Sequence, residues 1–189
     1  MSVLLYLSLM SATAAWTGEL MMKRKNLEET QRPIKEAMIA EPLKAQAVLH
    51  ADGVLGPDNN CMVTAYDLQF EAGLPKGIGG KEGALSPGTV FLAAICACTG
   101  VTMSAVARYM GIKIKYGKVT AAGKLDLRGT MGISDDVPVG FKDIELNFEL
   151  DTDADDAQLS ELLKKTEKLS ITSRTIADGT EVNYRLERW

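Results

Sequence analysis

Two of the three cysteines, Cys96 and Cys98, lie in a stretch without charge that runs from Ser86 almost to Gly111. A cysteine thiolate is a nucleophile, a metal ligand and a group that can be oxidised. Residues two positions apart point to roughly opposite faces of a helix. A disulfide between Cys96 and Cys98 is therefore not expected if this stretch is an unbroken helix.

The remaining candidates for chemistry are Cys61 and the only histidine, His50. Cys61 falls on a predicted strand, so it is either a packing residue or a thiol that can form a disulfide with Cys98 if the fold brings the two together. With one histidine and no CxxC or HExxH pattern, no metal site is predicted, and nothing indicates a cofactor. Three cysteines are too few for a disulfide framework, so we expect a reducing compartment, the cytoplasm.

The composition of the chain indicates which classes of binding partner to expect. The chain has 189 residues, 46% of them hydrophobic, and a formal net charge of −4, as in an ordinary globular domain. No basic cluster alternates with aromatic residues, so we expect no nucleic-acid partner. The glycine-rich stretch from Ala72 to Leu85 lacks a Gly-Lys-Ser/Thr ending and is interpreted as a flexible connection.

The stretch from Ser86 to Gly111 must position the two thiols. Ser86 and Pro87 are favourable residues at a helix start, and Gly111 is favourable at a helix end. A helix that is apolar on all sides is buried on all sides or crosses a membrane. Because this segment also contains several threonines, glycines and a serine, we predict a buried central helix and no membrane partner.

Strand pairs separated by helices favour an α+β fold with antiparallel sheets. The expected helices, beside the central one, are 26–40, with Pro33 causing a kink or a late start, and 157–169, capped by the acidic run before it. The expected strands are 44–51, 61–70, 112–127 with a bulge at Gly117 or Gly123, 141–150 and 180–186; the segments between them, 128–140 included, are expected to be turns and loops.

We divide the chain into an N-terminal helical extension, residues 1–43, and a domain, residues 44–189. The apolar start of the extension, from Val3 to Met10, lacks a basic n-region, and its basic run follows the apolar residues. A docked extra helix, or an upstream extension of a protein starting at Met21 or Met22, is favoured over a cleaved signal peptide.

Three motifs resemble those of a known family. Ser86-Pro87 followed by FLAAICACT (residues 91–99) resembles the central-helix motif of the OsmC/Ohr family, the organic hydroperoxide reductases and their osmotically induced relatives. LRGTMG (127–132) resembles the strand-loop-strand segment of the OsmC-like branch, and EKLSITS (167–173) falls where the family has its second cysteine motif. The resemblance covers roughly residues 44–187.

The resemblance implies an intertwined homodimer in which the central helices are buried between two sheets. It also implies a catalytic cysteine, here Cys98, whose thiolate attacks a hydroperoxide, followed by capture of the sulfenic acid by a second cysteine. Three positions depart from the family pattern. Ser170 stands in place of the second cysteine, Gly88 in place of an acidic residue, and no arginine lies in the first hairpin.

These departures leave two hypotheses. In the first, Cys98 alone reduces organic hydroperoxides and an external thiol reductant regenerates it. In the second, the protein is catalytically inactive and binds a small apolar ligand at the dimer interface. The absent arginine favours the second, because burial without a nearby cation raises the pKa of a thiol. Acyl transfer at Cys98 has no histidine partner in the sequence to support it.

Overall fold

The computed structural model describes residues 27–187. It divides into two units, one ending at Leu49 and one beginning at His50. In the first unit, helix α1 (Leu27–Ala40) contains Pro33 in its interior, and a short 3-10 turn follows at Pro42–Ala45. The expected late start after Pro33 is therefore wrong. The predictions for residues 1–20, and for residue 26 as the first of this helix, lie outside the described residues.

The second unit opens with a three-stranded antiparallel sheet in the order β1-β2-β3. Its strands are β1 (Asp52–Leu55), β2 (Asn60–Ala65) and β3 (Leu68–Gly73). The prediction of a strand at 44–51 is wrong, since β1 begins at the Asp52-Gly53 pair that was assigned to a turn. These two turn-forming residues are held extended because they lie in register with Thr64 and Val63 of β2.

The single strand predicted for residues 61–70 is in fact two strands joined by a tight turn. Tyr66 adopts a left-handed backbone conformation, with φ of 53°. Two-residue hairpin turns normally use glycine or asparagine for this conformation. The sequence Tyr66-Asp67 lacks that signal, which explains why the turn was not predicted.

The central helix, α2, runs from Pro87 to Tyr109, and Gly111 follows its end with a positive φ of 70°. Both predicted boundaries are confirmed within two residues. The prediction of burial on every face is wrong for the single chain. One side of α2 is buried, by Ile95, Thr99, Met103, Val106 and Ala107, whereas Val101 on the other side is 71% exposed.

A two-stranded antiparallel sheet packs against α2. Its strands are β4 (Ile114–Lys124) and β5 (Asp143–Thr152), and the register shifts between Ile114 and Tyr116 rather than at either predicted glycine. The connection includes a four-residue helix, α3 (Leu127–Thr130), which Asp126 caps by accepting a hydrogen bond from the Arg128 backbone N–H.

The last two helices are α4 (Asp156–Leu169) and α5 (Ile171–Asp178). Asp155 and Gln158 form a capping box at the start of α4, which confirms the acidic cap. Helix α5 was not predicted. The strand predicted for 180–186 does not form, because this segment pairs with no strand of the described chain.

The core lies where α2, α4 and the second sheet meet. Leu162 of α4 is fully buried there, and such burial contributes about 2 kcal/mol. The main contacts of α2 are with β4, α4 and α5. The α+β class with antiparallel sheets is thus confirmed.

Of the described helices, α2 alone is long and apolar enough to cross a membrane, a criterion that a core helix of a soluble protein also meets.

Candidate functional site

Cys98 lies midway along α2 and faces the start of α5. Its Sγ is 3.5 Å from the hydroxyl oxygen of Ser170, and that oxygen is 3.3 Å from Oγ1 of Thr172. The Cys98 side chain is half-buried, whereas Ser170 is fully buried. Two residues that are 72 positions apart in the sequence are thereby brought into one site.

Ser170 is held in place by the junction between two helices. Its backbone N–H donates to the carbonyl of Thr166 at the end of α4. Its carbonyl accepts from the N–H of Arg174, and its hydroxyl accepts from the N–H of Ser173, in the first turn of α5. As N-cap of α5, Ser170 thus directs the start of that helix toward the thiol.

The N-terminus of α5 controls the ionisation of Cys98. Burial of the thiol acts to raise its pKa. The opposing contributions are larger in sum: hydrogen bonds from the backbone N–H groups of Thr172 and Ile171, and from the hydroxyls of Ser170 and Thr172, lower the pKa from 9.0 to about 7. Free N–H groups at a helix start stabilise an anion because no carbonyl within the helix accepts from them.

The structure therefore contradicts the expectation that this thiol, without an arginine, has a raised pKa. The groups that lower the pKa are hydrogen-bond donors, not cations. Arg174, in the first turn of α5, pairs with Asp178 within that helix, and Glu82, which precedes α2, pairs with Lys76. Sequence analysis missed Thr172 as a site residue; the signal available was its place in a Ser-x-Thr sequence that begins a helix.

Gly88, which stands where the family has an acidic residue, is covered by an aromatic ring. A Cβ at Gly88 would lie 3.3 Å from the ring of Phe141, and a Cβ at Gly123 would lie 2.6 Å from it. The same ring stacks on Phe91, with centroids 5.7 Å apart and planes 14° apart. Phe141 thus fills the space beside residue 88, so the start of α2 is apolar here.

The other two cysteines lie apart from this site. All three are free thiols, and neither Cys61 nor Cys96 is among the groups that shift the pKa of Cys98. Cys61 is on β2, where it lines a cavity of about 370 Å³ together with Leu55, Leu74 and Pro87. Of the two roles considered for Cys61, this position is compatible with the packing role.

The surroundings of Cys98 in the described residues contain no cluster of potential metal ligands. In residues 27–187, no three histidine, cysteine, aspartate or glutamate side chains are close enough to hold a metal ion. Three cavities of the described chain, of about 230, 360 and 370 Å³, are lined by other residues. The site is therefore a half-buried thiol at a helix N-terminus, an arrangement that produces a nucleophilic thiolate near neutral pH.

A family model described as OsmC-like protein matches residues 79–185, which include α2, the second sheet, α4 and α5. This match contains Cys98, Ser170 and the elements that bring them together. The chain belongs to the OsmC-like family. The family resemblance found in the sequence is thereby confirmed, and residues 79–185 form its OsmC-like region.

Solved structures support the same fold. An OsmC-like protein from Mycoplasma pneumoniae is 18% identical over 70% of this chain and 89% of its own, with a TM-score of 0.61. An OsmC-like protein of unknown function from Vibrio cholerae is 10% identical over 69% and 94%, with a TM-score of 0.58. An organic hydroperoxide resistance protein from Elizabethkingia anophelis is 22% identical over 69% and 88%, with a TM-score of 0.52. No curated protein matches.

Proposed function

We propose that this OsmC-like protein reduces organic hydroperoxides through Cys98 as its only catalytic cysteine. The observation that carries the proposal is the contact of Cys98 with the N-terminus of α5, which lowers the thiol pKa to about 7. About half of the thiol is then ionised at neutral pH, and only the thiolate attacks a peroxide efficiently. The organic hydroperoxide resistance protein among the similar structures supports this choice of substrate.

In the proposed reaction, the Cys98 thiolate attacks the outer oxygen of the hydroperoxide and the O–O bond breaks. The sulfur is oxidised to a sulfenic acid, and the alkoxide leaves as an alcohol after it takes a proton from solvent. The hydroxyl of Ser170 hydrogen-bonds the sulfur and is itself hydrogen-bonded to the hydroxyl of Thr172, which holds it in place. Because Ser170 cannot form a disulfide, an external thiol attacks the sulfenic acid and releases water, and a second thiol frees Cys98.

An intact-mass titration tests this proposal. One equivalent of cumene hydroperoxide added to the reduced protein is expected to add one oxygen, and excess thiol is expected to remove it. The Cys98→Ser variant should show neither change, whereas Cys61→Ser and Cys96→Ser should behave as wild type. A loss of two hydrogens would mean that a resolving cysteine exists, with Cys61 as the first to test. An unchanged mass beside an oxidised control peroxidase would reject the catalytic function in favour of ligand binding.

We also propose that two copies of the chain form a homodimer through the exposed side of α2 and the first sheet. The exposed side of α2 presents Ala94, Ala97 and Val101, and the first sheet exposes Val54 and Leu55. Exposed apolar surface on a helix and a sheet is covered by a partner in many proteins. A twofold symmetric contact would let the same faces cover each other.

A charge on this side of α2 should prevent the dimer. The Val101→Asp variant is expected to have the mass of one chain in light scattering at micromolar concentration, where wild type has the mass of two, because a buried carboxylate without a partner is strongly unfavourable. Val139→Asp places the same charge on an exposed loop residue and should leave the dimer intact. A wild-type mass of one chain would reject the homodimer.

A further inference from the structure

The side chain that is placed to capture an oxidised Cys98 is a hydroxyl. The Ser170 Oγ atom is 3.5 Å from the Cys98 sulfur, and a hydroxyl cannot form a disulfide. Cys96, two positions along α2, points to another side of the helix. Cys61 lies on β2, where a Cβ at Gly53 would be 2.8 Å from its sulfur. A sulfenic acid at Cys98 therefore persists until an external thiol reaches it.

The junction between α4 and α5 leaves two backbone donors for the sulfur. The first N–H groups of a helix find no carbonyl within it. At the start of α5, the N–H of Ser170 donates to the end of α4, and the N–H of Ser173 donates to the Ser170 hydroxyl. The two N–H groups between them, of Ile171 and Thr172, donate to the Cys98 sulfur and lower its pKa. They are therefore in place for an anion on this residue.

The first turn of α5 contains no carboxylate that would repel an anion. The aspartate of this helix, Asp178, lies at its other end in an ion pair with Arg174. Ser170 is fully buried, so its hydroxyl stays directed at Cys98 and does not exchange partners with solvent. Hydrogen bonds to a charged oxygen are about twice as strong as those between neutral groups. The site thus favours an anionic oxyacid over a neutral sulfenic acid.

We propose that excess organic hydroperoxide converts Cys98 to a sulfinate, held at the N-terminus of α5, and thereby switches the peroxidase off. The proposal rests on the proposed function, because peroxide reduction supplies the sulfenic acid. In the added step, the sulfur of the deprotonated sulfenic acid attacks the outer oxygen of a second hydroperoxide. A second S–O bond forms, the O–O bond breaks, and the proton of the outer oxygen passes to the leaving alkoxide. The sulfur loses two electrons, and the hydroperoxide gains them and becomes an alcohol.

The state of Cys98 then records the balance between hydroperoxide and thiol. Thiols return a sulfenic acid to the thiol but do not reduce a sulfinate. At a high ratio of thiol to hydroperoxide the enzyme turns over. At a low ratio the sulfinate accumulates, and the activity does not recover when thiol is added.

Intact-mass measurement of the chain carrying Cys61→Ser and Cys96→Ser counts each oxygen separately. One equivalent of cumene hydroperoxide is expected to add one oxygen that dithiothreitol removes. A large excess is expected to add two oxygens that dithiothreitol leaves in place, with activity lost in proportion. Ser170→Cys in the same chain should reduce the two-oxygen product at least tenfold, because the new thiol captures the sulfenic acid first. Ser160→Cys, at an exposed position of α4, should not reduce it.

A second measurement tests whether α5 holds the sulfinate. Ile171 is the first residue of α5, where proline is favoured, and Ser170 has the extended backbone that a following proline requires, with φ of −75° and ψ of 118°. Ile171→Pro therefore removes one N–H donor and keeps the helix. At pH 5, where the reduced thiol is neutral, it should lower the thermal midpoint of the sulfinate form by about 3 °C more than that of the reduced form. Ile171→Ala, which keeps the N–H, should lower both midpoints equally.

The outcomes separate this proposal from the peroxidase function. A single reversible oxygen at every excess of hydroperoxide would overturn the sulfinate switch and leave the peroxidase function standing. Absence of the first oxygen would reject both. A third oxygen would show that oxidation proceeds to the sulfonate and would overturn the switch, as would equal changes of the two midpoints in Ile171→Pro.

Discussion

Alkylation of Cys98 is expected to follow a titration curve with its midpoint near pH 7, in a chain that also carries Cys61→Ser and Cys96→Ser. The expectation follows from the hydrogen bonds that Thr172, Ser170 and Ile171 donate to the sulfur, which lower the pKa from 9.0 to about 7. Only the thiolate reacts with iodoacetamide, so the rate measured against pH reports the ionised fraction.

The lowered pKa changes the alkylation rate of Cys98 at pH 7 in two opposing ways. At pH 7 the thiolate fraction is about one half, against about one in a hundred for a pKa of 9, a gain of about 50-fold. A less basic thiolate is also a weaker nucleophile, by about eightfold for two pKa units. The net rate gain at pH 7 is thus only about sixfold, which is why the midpoint, rather than the rate, is the informative measurement.

Two substitutions at one position separate the hydroxyl from the helix cap. Ser170→Ala and Ser170→Gly both remove the hydroxyl next to Cys98, and both should move the midpoint to higher pH. They should differ in stability, because alanine at an N-cap costs about 1 kcal/mol and glycine only a few tenths. If the midpoint moves much further in Ser170→Ala than in Ser170→Gly, it follows the loss of stability. The hydrogen bond from the Ser170 hydroxyl is then not the cause of the lowered pKa.

The same shift predicts how stability depends on pH. The pKa of Cys98 is lower in the folded chain than in the unfolded chain, so between pH 7 and 9 the unfolded chain binds more protons. The free energy of unfolding should therefore increase as the pH is raised from 7 to 9. Denaturant titrations at several pH values should show this increase in wild type and not in Cys98→Ser. If the free energy of unfolding depends on pH in the same way in both proteins, the lowered pKa is contradicted.

The Ser170→Cys variant is expected to form a disulfide with Cys98 where wild type forms none. The Ser170 oxygen lies 3.5 Å from the Cys98 sulfur, and the two sulfurs of a disulfide lie about 2.05 Å apart, so a small movement closes the bond. One equivalent of hydroperoxide should then remove two hydrogens from the protein, in place of the added oxygen: the sulfenic acid condenses with the new thiol and releases water.

A second oxidant keeps the geometry of this variant separate from peroxide chemistry. Diamide should produce the same disulfide in Ser170→Cys even if Cys98 does not react with peroxides. Ser160→Cys adds a thiol at an exposed position of α4 and should form no intramolecular bond with either oxidant. Failure with both oxidants would show that residue 170 is not in the resolving position; failure with hydroperoxide alone would count against the peroxidase function.

Much of the fold could be predicted from the sequence because the relevant signals are local. The boundaries of α2 followed from Pro87 and Gly111, and the two strands of the second sheet followed from alternation of apolar residues. The turn at Tyr66 was missed because a tertiary arrangement holds a residue without turn propensity in a left-handed conformation. The strand expected at 180–186 needs an edge that the described chain does not provide.

The sequence by itself, through its resemblance to the family, predicted Cys98 as the candidate nucleophile and Ser170 at the position of a second cysteine. Only the tertiary structure decided the chemical state of that thiol. The sequence predicted a raised pKa because it contains no suitably placed arginine. The folded chain instead directs the N–H groups of Ile171 and Thr172 at the sulfur, and together with the hydroxyls of Ser170 and Thr172 their effect exceeds that of burial. Backbone donors carry no sequence signature, since every residue except proline has one, and their direction depends on how α5 is placed against α2.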